Sequence, residues 1–135
     1  MTQPRQPLSR RRILRAALRL IDRDGLDALS MRRLGAALGV EAMSLYRHVP
    51  NKEAVLDGVV ELLTEEIDVP SAGEAGSHSW PETLRRIVHS YRKLAHAHPH
   101  AFPLIALRPL ATPKAIERGE ATIALMLAAG IDERR

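Results

Sequence analysis

The fold is decided by residues 29–57, which read LSMRRLGAALGVEAMSLYRHVPNKEAVLD. Ser30 is a good N-cap, and apolar residues follow it at the spacing of one helix face. Gly39 stands where the end of a helix favours a residue with positive φ. A further short helix is predicted over 42–48, because Pro50 prevents it from continuing. Two helices joined by such a tight turn form the helix-turn-helix pattern, although an ordinary three-helix corner can share it.

Helical periodicity also covers the sequence on both sides of this stretch. Upstream, a helix is predicted over 10–24, with Ser9 as its N-cap and Gly25 at its end. Downstream, four more helices are predicted, over 51–67, 80–98, 101–107 and 112–129. No stretch alternates polar and apolar residues as a half-buried strand does, and there is no internal repeat. The sequence therefore predicts an all-α fold.

Positive charge is concentrated in the first part of the chain. The net charge is +4, yet residues 1–52 hold eleven Lys and Arg against four Asp and Glu, a balance of +7. Residues 53–135 hold nine basic and twelve acidic residues, a balance of −3. This asymmetry is typical of a protein whose one end meets a polyanion such as nucleic acid, and an arginine-rich solvated face would produce it too.

Several classes of protein are disfavoured by what the sequence lacks. There is no cysteine, which excludes disulfides, a thiol nucleophile and cysteine-ligated metals. One Trp, two Tyr and one Phe are few for a protein that stacks on single-stranded bases. No glycine-rich phosphate loop, nucleophile elbow or zinc-protease motif is present, so we expect no enzyme activity. The N-terminus resembles no signal peptide and no apolar stretch could span a membrane, so we expect a cytoplasmic, nucleoid-associated protein without a membrane partner.

The helix-turn-helix segment resembles the DNA-binding domain of the tetracycline-repressor (TetR) family. The matching motifs are Leu-Gly-Val at 38–40, Leu-Tyr-x-His-Val at 45–49 and Asn-Lys at 51–52. The resemblance covers residues 9–67 and continues more weakly around Ser79-Trp80 and Arg108-Pro109. It implies a transcriptional regulator in which a long fourth helix joins the DNA-binding domain to C-terminal helices for ligand binding and dimerisation.

The resemblance also implies which residues contact double-stranded DNA: Ser30, Arg32, Ala42, Met43, Ser44, Tyr46, Arg47, His48 and Lys52. The first two begin the second helix, where the family contacts phosphate and sometimes a base. The next three form the head of the recognition helix. The tyrosine, the histidine and the lysine match positions that grip phosphates, and the lysine adds to the partial positive charge of a helix N-terminus. Arg47 is the long side chain of this helix that could read guanine.

Other roles stay open for several of these residues. Tyr46 could be partly a core residue, and His48 could bond to backbone. Arg32 could pair with Asp27 instead of DNA, and Arg47 could be solvated or contact phosphate.

The expected operator differs from that of the tetracycline repressor, which has Gln-Pro where this chain has Ala42 and Met43. These two side chains offer apolar contacts, for instance to a thymine methyl group, in place of hydrogen bonds. The sequence does not specify the operator itself.

The resemblance further implies a pocket for a small hydrophobic inducer in the C-terminal half. The apolar residues expected to line it are Leu84, Ile87, Val88, Tyr91, Phe102, Leu104, Ile105, Leu107 and Ile123. Each could instead belong to the core. Tetracycline is not implied, because Asp68 and the apolar stretch 104–107 stand near the places where the tetracycline repressor has metal-binding histidines.

Three histidines alternate with other residues at His96, His98 and His100. Two-residue spacing does not place metal ligands on one helix face, and Pro99 interrupts the helix between them. We therefore predict no metal site and no cofactor, and expect solvated or backbone-bonded side chains.

The sequence is thus interpreted as four parts: a flexible N-terminal arm (1–8), a helix-turn-helix DNA-binding domain (9–67), a linker loop (68–79) and a partial C-terminal ligand-binding and dimerisation domain (80–135). The predicted function is that of a repressor released from operator DNA by an unidentified small molecule. A DNA-binding module without ligand control is the alternative.

The chain length adds one more expectation. Members of the family are commonly longer than 135 residues, and two late helices seal their dimer. The sequence is therefore expected to be a C-terminally truncated form whose longer version is a homodimer. Dimerisation through other surfaces, or a monomer that binds DNA weakly, are the other possibilities.

Overall fold

The computed structural model describes residues 6–71, 74, 79–108 and 113–128, and every regular element in these ranges is helical. Within these ranges the α-helices are α1 (Arg10–Asp24), α2 (Met31–Leu38), α3 (Ala42–Leu45), α4 (Lys52–Glu65), α5 (Trp80–Ala97), α6 (Pro103–Leu107) and α7 (Pro113–Ala128). A 3₁₀ turn, Leu26–Ala28, connects α1 to α2. The predicted all-α class is confirmed.

Some sequence predictions fall outside the described residues. They concern most of the flexible arm (1–5), most of the linker loop (72–73 and 75–78), and Thr112 and Gly130, the predicted boundaries of the last helix.

Capping residues set the ends of the first helices. The side chains of Ser9, Ser30 and Asn51 each accept a hydrogen bond from the backbone N–H three residues later, at 3.2, 3.1 and 2.8 Å. Each bond satisfies a donor that the first turn of a helix leaves unpaired. Gly39 has φ 68° and ψ 33°, the left-handed conformation that ends α2. The predicted starts of α1, α2 and α4 and the end of α2 are confirmed.

The prediction of a helix over 42–48 is wrong in its length, because α3 ends at Leu45. The backbone N–H groups of His48 and Val49 both bond to the carbonyl of Leu45, at 2.9 and 3.0 Å, and tighten the chain into a turn. Val49 is buried and precedes Pro50, which disfavours the helical conformation in the residue before it. The three residues after Leu45 therefore lie on a turn. The other helix ends agree with the predicted positions to within two residues.

The core is formed where α1 crosses α4 and α2. Its fully buried side chains include Ile13, Leu14, Ile21, Leu29, Leu34, Leu45, Val49, Val55, Val59 and Leu63. Leu45 and Val49 belong to it, so the short α3 and the turn after it are anchored to the domain. The same core includes Leu94, Ala101 and Leu104, which attach α5 and α6 to the N-terminal helices.

Two glycines permit close helix contacts. A Cβ atom on Gly35 would lie 2.8 Å from the carbonyl oxygen of Val40 and 3.2 Å from the backbone nitrogen of Ala42. A Cβ atom on Gly58 would overlap the side chain of Leu14, with 2.6 Å to its Cδ1. Gly35 therefore sets how closely α2 meets the turn before α3, and Gly58 sets how closely α4 meets α1.

Candidate nucleic-acid interface

The head of α3 projects from the domain. Met43 is 75% exposed, which is unusual for a large apolar side chain, and Ala42 and Ser44 are half-buried. Leu45, at the other side of the same short helix, is fully buried. Because the buried Leu45 anchors one side of α3 in the core, the other side, which carries Met43, is held facing outward. These are the residues predicted to form the head of a recognition helix.

The turn after α3 presents three polar side chains between two buried anchors. Tyr46 is 42% exposed, and Arg47 and His48 are also exposed. Leu45 and Val49 on either side are buried, so the turn is held at the surface. Tyr46 is thus not a buried core residue, and its hydroxyl, the guanidinium and the imidazole are available for hydrogen bonds with an external partner.

The other predicted contact residues lie at two helix N-termini. Ser30 caps α2 through its side chain, and Arg32 is exposed in the first turn. Lys52 is exposed at the first position of α4. A helix N-terminus carries a partial positive charge and free backbone N–H groups, so these cations and the helix ends favour the same anionic partner.

The cations of this surface make no ion pair with the residues that the structure describes. Within the described ranges, Arg32, Arg47 and Lys52 have no carboxylate partner. By contrast, Arg10 of α1 bonds to Glu61 of α4 through two contacts of 3.1 and 3.2 Å.

The possible Arg32–Asp27 pair does not form among the described residues, and the next residue makes the ion pair instead. Arg33 donates to Asp24 at 2.8 Å and so connects α2 to the end of α1. Hydrogen bonding from Arg23 first, and the charge and hydrogen bond of Arg33 after it, hold the pKa of Asp24 below its ordinary value. Arg32 is left to face outward.

Arg108 also contacts this region. In the sequence, it was marked only by the weaker family resemblance around Arg108-Pro109. Its Nε donates to Asp57 at 2.7 Å, and one Nη donates to the Glu53 carboxylate at 2.7 Å and to the Glu53 carbonyl at 3.3 Å. These hydrogen bonds, to Glu53 first and Asp57 second, raise the pKa of Arg108 further above its ordinary value. The residue after α6 is thereby tied to the first turns of α4, beside Lys52. The sequence signal for this contact is the pair Glu53 and Asp57, which lie four residues apart and therefore on the same side of α4.

The three neighbouring histidines, His96, His98 and His100, each have a different environment. His98 lies between two carboxylates, with Nδ1 2.7 Å from Asp22 and Nε2 3.5 Å from Glu66. His100 contacts the carbonyl of Ile21 through Nδ1 at 3.2 Å, and His96 is exposed. The pair of contacts at His98 joins the end of α5 to the ends of α1 and α4. In the part of the chain that the structure describes, no group of three potential metal ligands is arranged around a common point.

The residues predicted to line a ligand pocket are spread over surface and core. Leu84, Val88, Tyr91, Leu107 and Ile123 are exposed, Leu107 to 74%. Ile87, Phe102 and Ile105 are half-buried, and Leu104 is 5% exposed within the core. The rings of Tyr91 and Phe102 meet edge to face with centroids 6.5 Å apart. The structure thus gives α5 and α7 open apolar faces, and the pocket stays a prediction.

The fold and this exposed, cationic surface define the class: a helix-turn-helix protein with the features of a transcription regulator. Comparison with known proteins supports the same class. The family model for bacterial regulatory proteins of the tetR family matches residues 13–59. The chain therefore contains the N-terminal helix-turn-helix domain of the tetR family, and the resemblance found in the sequence is confirmed.

Individual relatives support the assignment. An HTH-type transcriptional regulator of Saccharopolyspora erythraea is 39% identical over 123 residues, which cover 91% of this chain and 51% of that protein. The HTH-type transcriptional repressor DrrR1 of Streptomyces coeruleorubidus is 33% identical over 132 residues, covering 96% and 47%. The crystal structure of the Streptomyces coelicolor TetR family protein ActR in complex with actinorhodin has a TM-score of 0.80 and 33% identity, covering 96% and 60%.

The chain spans about half the length of the curated relatives it matches. None of the helices in the described ranges combines the length and the apolar content needed to cross a membrane.

Proposed function

We propose that this chain binds double-stranded operator DNA in a sequence-specific manner and represses transcription until a small hydrophobic molecule releases it. The observation that supports DNA binding most is the projecting head of α3 beside cations that the described part of the protein leaves without carboxylate partners. A B-DNA major groove is wide enough to admit one α-helix, and phosphates on both sides of the groove attract such cations. Operator DNA lies in the bacterial cytoplasm, which is where this function places the protein.

Base recognition is assigned to the head of α3 and the turn after it. Ala42 and Met43 offer apolar surface suited to a thymine methyl group, and Arg47 has the geometry to bind guanine O6 and N7. Tyr46, His48 and Lys52 are assigned to the phosphates that flank the groove. Polar contacts to phosphate orient the domain, whereas contacts to base edges select the sequence.

The proposal includes a second copy of the protein. Helix-turn-helix dimers place two recognition helices in successive major grooves, about 34–36 Å apart. The operator is then an inverted repeat with its half-sites one helical turn apart.

Selection from a pool of random duplexes tests the function. The expected result is enrichment of one inverted repeat whose half-site spacing matches one helical turn. Enrichment of a single half-site would overturn the two-copy arrangement, and no enrichment at all would overturn sequence-specific binding.

Replacement of Arg47 or Tyr46 tests the base and phosphate assignments. Arg47→Ala is expected to weaken operator binding by about 1–3 kcal/mol and to relax the preference for guanine at one position. Tyr46→Phe removes one hydroxyl donor and is expected to weaken binding by roughly tenfold on all sequences, since a hydrogen bond to a charged group contributes about 1.5–3 kcal/mol. Gel-shift titration measures both, with Arg92→Ala, an exposed arginine of α5, as the control. Unchanged affinity in both variants would contradict the assignments.

Release by a small molecule rests on two observations. ActR, a structural neighbour, was solved with actinorhodin bound, and the apolar faces of α5 and α7 are open in this chain. A ligand on these helices would shift α6, and Arg108 connects α6 to the DNA-facing end of α4. Ligand and DNA sites joined in this way share a coupling free energy. If no hydrophobic compound released the protein from its operator, the chain would instead be a DNA-binding module without ligand control.

The Arg108 connection gives its own prediction. Arg108→Ala leaves the carboxylates of Glu53 and Asp57 without their cation, close to Lys52 and to the phosphates that it is proposed to contact. Operator affinity is expected to fall roughly fivefold, in line with the 0.5–3 kcal/mol typical of coupled neighbouring residues. Arg108→Ala combined with Glu53→Gln should recover part of that affinity. Fluorescence anisotropy with labelled operator measures each step.

Arg86→Ala is the matched control for Arg108→Ala. It breaks a comparable ion pair, in which Arg86 contacts Asp68 at 2.5 and 2.9 Å, beyond the far end of α4. Operator affinity should be unchanged in this variant. Equal losses of affinity in Arg86→Ala and Arg108→Ala would show that the effect is not specific to the α6–α4 connection.

A further inference from the structure

One strongly basic surface is not used by the proposed recognition helix. The first 21 residues contain six arginines and no acidic residue. Five of the six lie on α1, whose apolar side faces the core. Surfaces that serve only solubility usually mix charges of both signs, so a single sign over this length calls for an anionic partner.

The arginines of α1 line one side of the helix. Arg11, Arg15 and Arg19 recur every four residues and therefore lie in a row about 12 Å long. Together with Arg12 they line a cleft of about 570 Å³ between α1 and the chain that precedes it. We name these four residues the α1 arginine face.

Most of this charge is not compensated within the described part of the protein. Arg11 contacts Glu65 at 3.3 Å, and Arg12 donates to the carbonyl of Gln6 at 2.6 Å. Arg15 and Arg19 are exposed and have no partner among the described residues. Four guanidinium groups with one carboxylate repel one another, and an anion in the cleft would relieve that repulsion.

The basic surface continues to the helix-turn-helix motif. A second groove of about 380 Å³ lies between α1 and α2 and is lined by Arg19 and Arg23 on one side and Ala37 on the other. Arg33 precedes Ala37 by one helical turn, on the same side of α2. Asp24 is shared by Arg23 and Arg33 at 2.9 and 2.8 Å, which leaves this junction with net positive charge.

The composition of α1 favours nucleic acid over a lipid surface. Helices that bind anionic membranes insert an apolar face beside their cations. The apolar residues of α1 are buried in the core, namely Ile13, Leu14, Ala16, Ala17, Leu18, Leu20 and Ile21. Up to Arg19, arginines are the side chains that this helix exposes, and guanidinium groups pair with phosphate through two parallel hydrogen bonds.

We propose that the α1 arginine face binds the phosphate backbone of the DNA that flanks each operator half-site. This contact is independent of sequence and adds to recognition by α3. The inference rests on the proposed function, which brings the duplex to the domain. It predicts that operator affinity depends on DNA outside the recognised sequence.

Arg15→Ala combined with Arg19→Ala tests the inference, because both side chains are exposed and the core is left intact. Anisotropy titrations over a salt series use the operator alone and the operator extended by about ten base pairs, one helical turn, at each end. On the extended duplex, the double variant is expected to bind more weakly and to lower the slope of log K against log salt by about 2, since each phosphate that a cation neutralises contributes about 0.9 to that slope. On the operator alone, its affinity should stay within about twofold of the unmodified chain.

Arg85→Ala combined with Arg92→Ala is the matched control, because it removes the same charge from exposed positions on α5. The control should keep the full salt slope on the extended duplex. An unchanged slope in the α1 variant, an equal change in the control, or equal weakening on both duplexes would overturn the inference alone. An unmodified chain that bound neither duplex would overturn the proposed function as well. Binding of the unmodified chain, but not of the α1 variant, to phosphatidylglycerol vesicles without any length effect on DNA would also overturn it in favour of a membrane.

Discussion

Gly35→Ala is expected to destabilise the domain and to reduce operator binding by more than its reduced stability explains. Glycine to alanine in a helix normally stabilises it by about 0.5–1 kcal/mol. Here the new Cβ atom would lie 2.8 Å from the carbonyl oxygen of Val40 and 3.2 Å from the backbone nitrogen of Ala42. Both are backbone atoms that cannot rotate away, so the turn between α2 and α3 has to move. Overpacking of this kind costs about 1–3 kcal/mol.

Urea unfolding and operator titration together measure the two effects of Gly35→Ala. The free energy of unfolding should fall by about 1–3 kcal/mol, and operator affinity should fall more than tenfold, because displacement of Ala42 shifts the head of α3 that is proposed to enter the groove. The control is Ala36→Gly, an exposed neighbour in the same helix, which lowers helix propensity without any clash. It should lose about 0.5–1 kcal/mol of stability and keep its affinity for the operator. Full stability and full affinity in Gly35→Ala would contradict the role of this glycine.

Gly58→Ala is expected to separate α1 from α4. The added Cβ atom would overlap Leu14, with 2.6 Å to its Cδ1, and Leu14 is itself almost fully buried and cannot turn into solvent. The expected loss of stability is about 1–3 kcal/mol. Leu14→Ala alone should cost about 2–5 kcal/mol through the cavity that it leaves.

A double-mutant cycle separates this steric explanation from a general effect of the glycine. With Leu14→Ala already present, the side-chain atoms nearest to the added Cβ atom are gone and Gly58→Ala fills part of the cavity, so it should be neutral or stabilising. The two losses of stability should therefore be non-additive by at least about 1 kcal/mol, within the range measured for residues in contact. Strictly additive losses in urea unfolding would show that the close approach of α1 and α4 is not what Gly58 provides.

Local signals in the sequence were sufficient for most of the helices. The ends of α1 and α2 and the start of α4 follow from Ser9, Ser30, Asn51 and Gly39, because a capping bond or a positive φ involves only neighbouring residues. The length of α3 did not follow from them. It depends on the backbone hydrogen bonds from His48 and Val49 to the carbonyl of Leu45 and on the burial of Val49, which the residue types of this short segment do not reveal.

The candidate site was also predictable in part. The nine proposed DNA-contacting residues follow from the resemblance to the tetR family, and in the structure they lie at the start of α2, on α3 and its following turn, and at the start of α4. Which cations remain without an ion pair was not predictable. Arg33 and not Arg32 makes the ion pair, and the difference is one position on a helix, or about 100° around its axis.

The sequence by itself determined that the chain is all-helical, that residues 29–57 form a helix-turn-helix, and that positive charge belongs to the same end as that motif. These properties depend on side-chain periodicity and capping, which involve only neighbouring residues, and on composition, which is a sum over residues. Only the tertiary structure decided the contacts between Arg108 and α4, between His98 and two carboxylates, and between Leu14 and Gly58. The partners in these contacts are as many as 76 residues apart in the chain, and such pairs form only once the core has fixed the helices against one another.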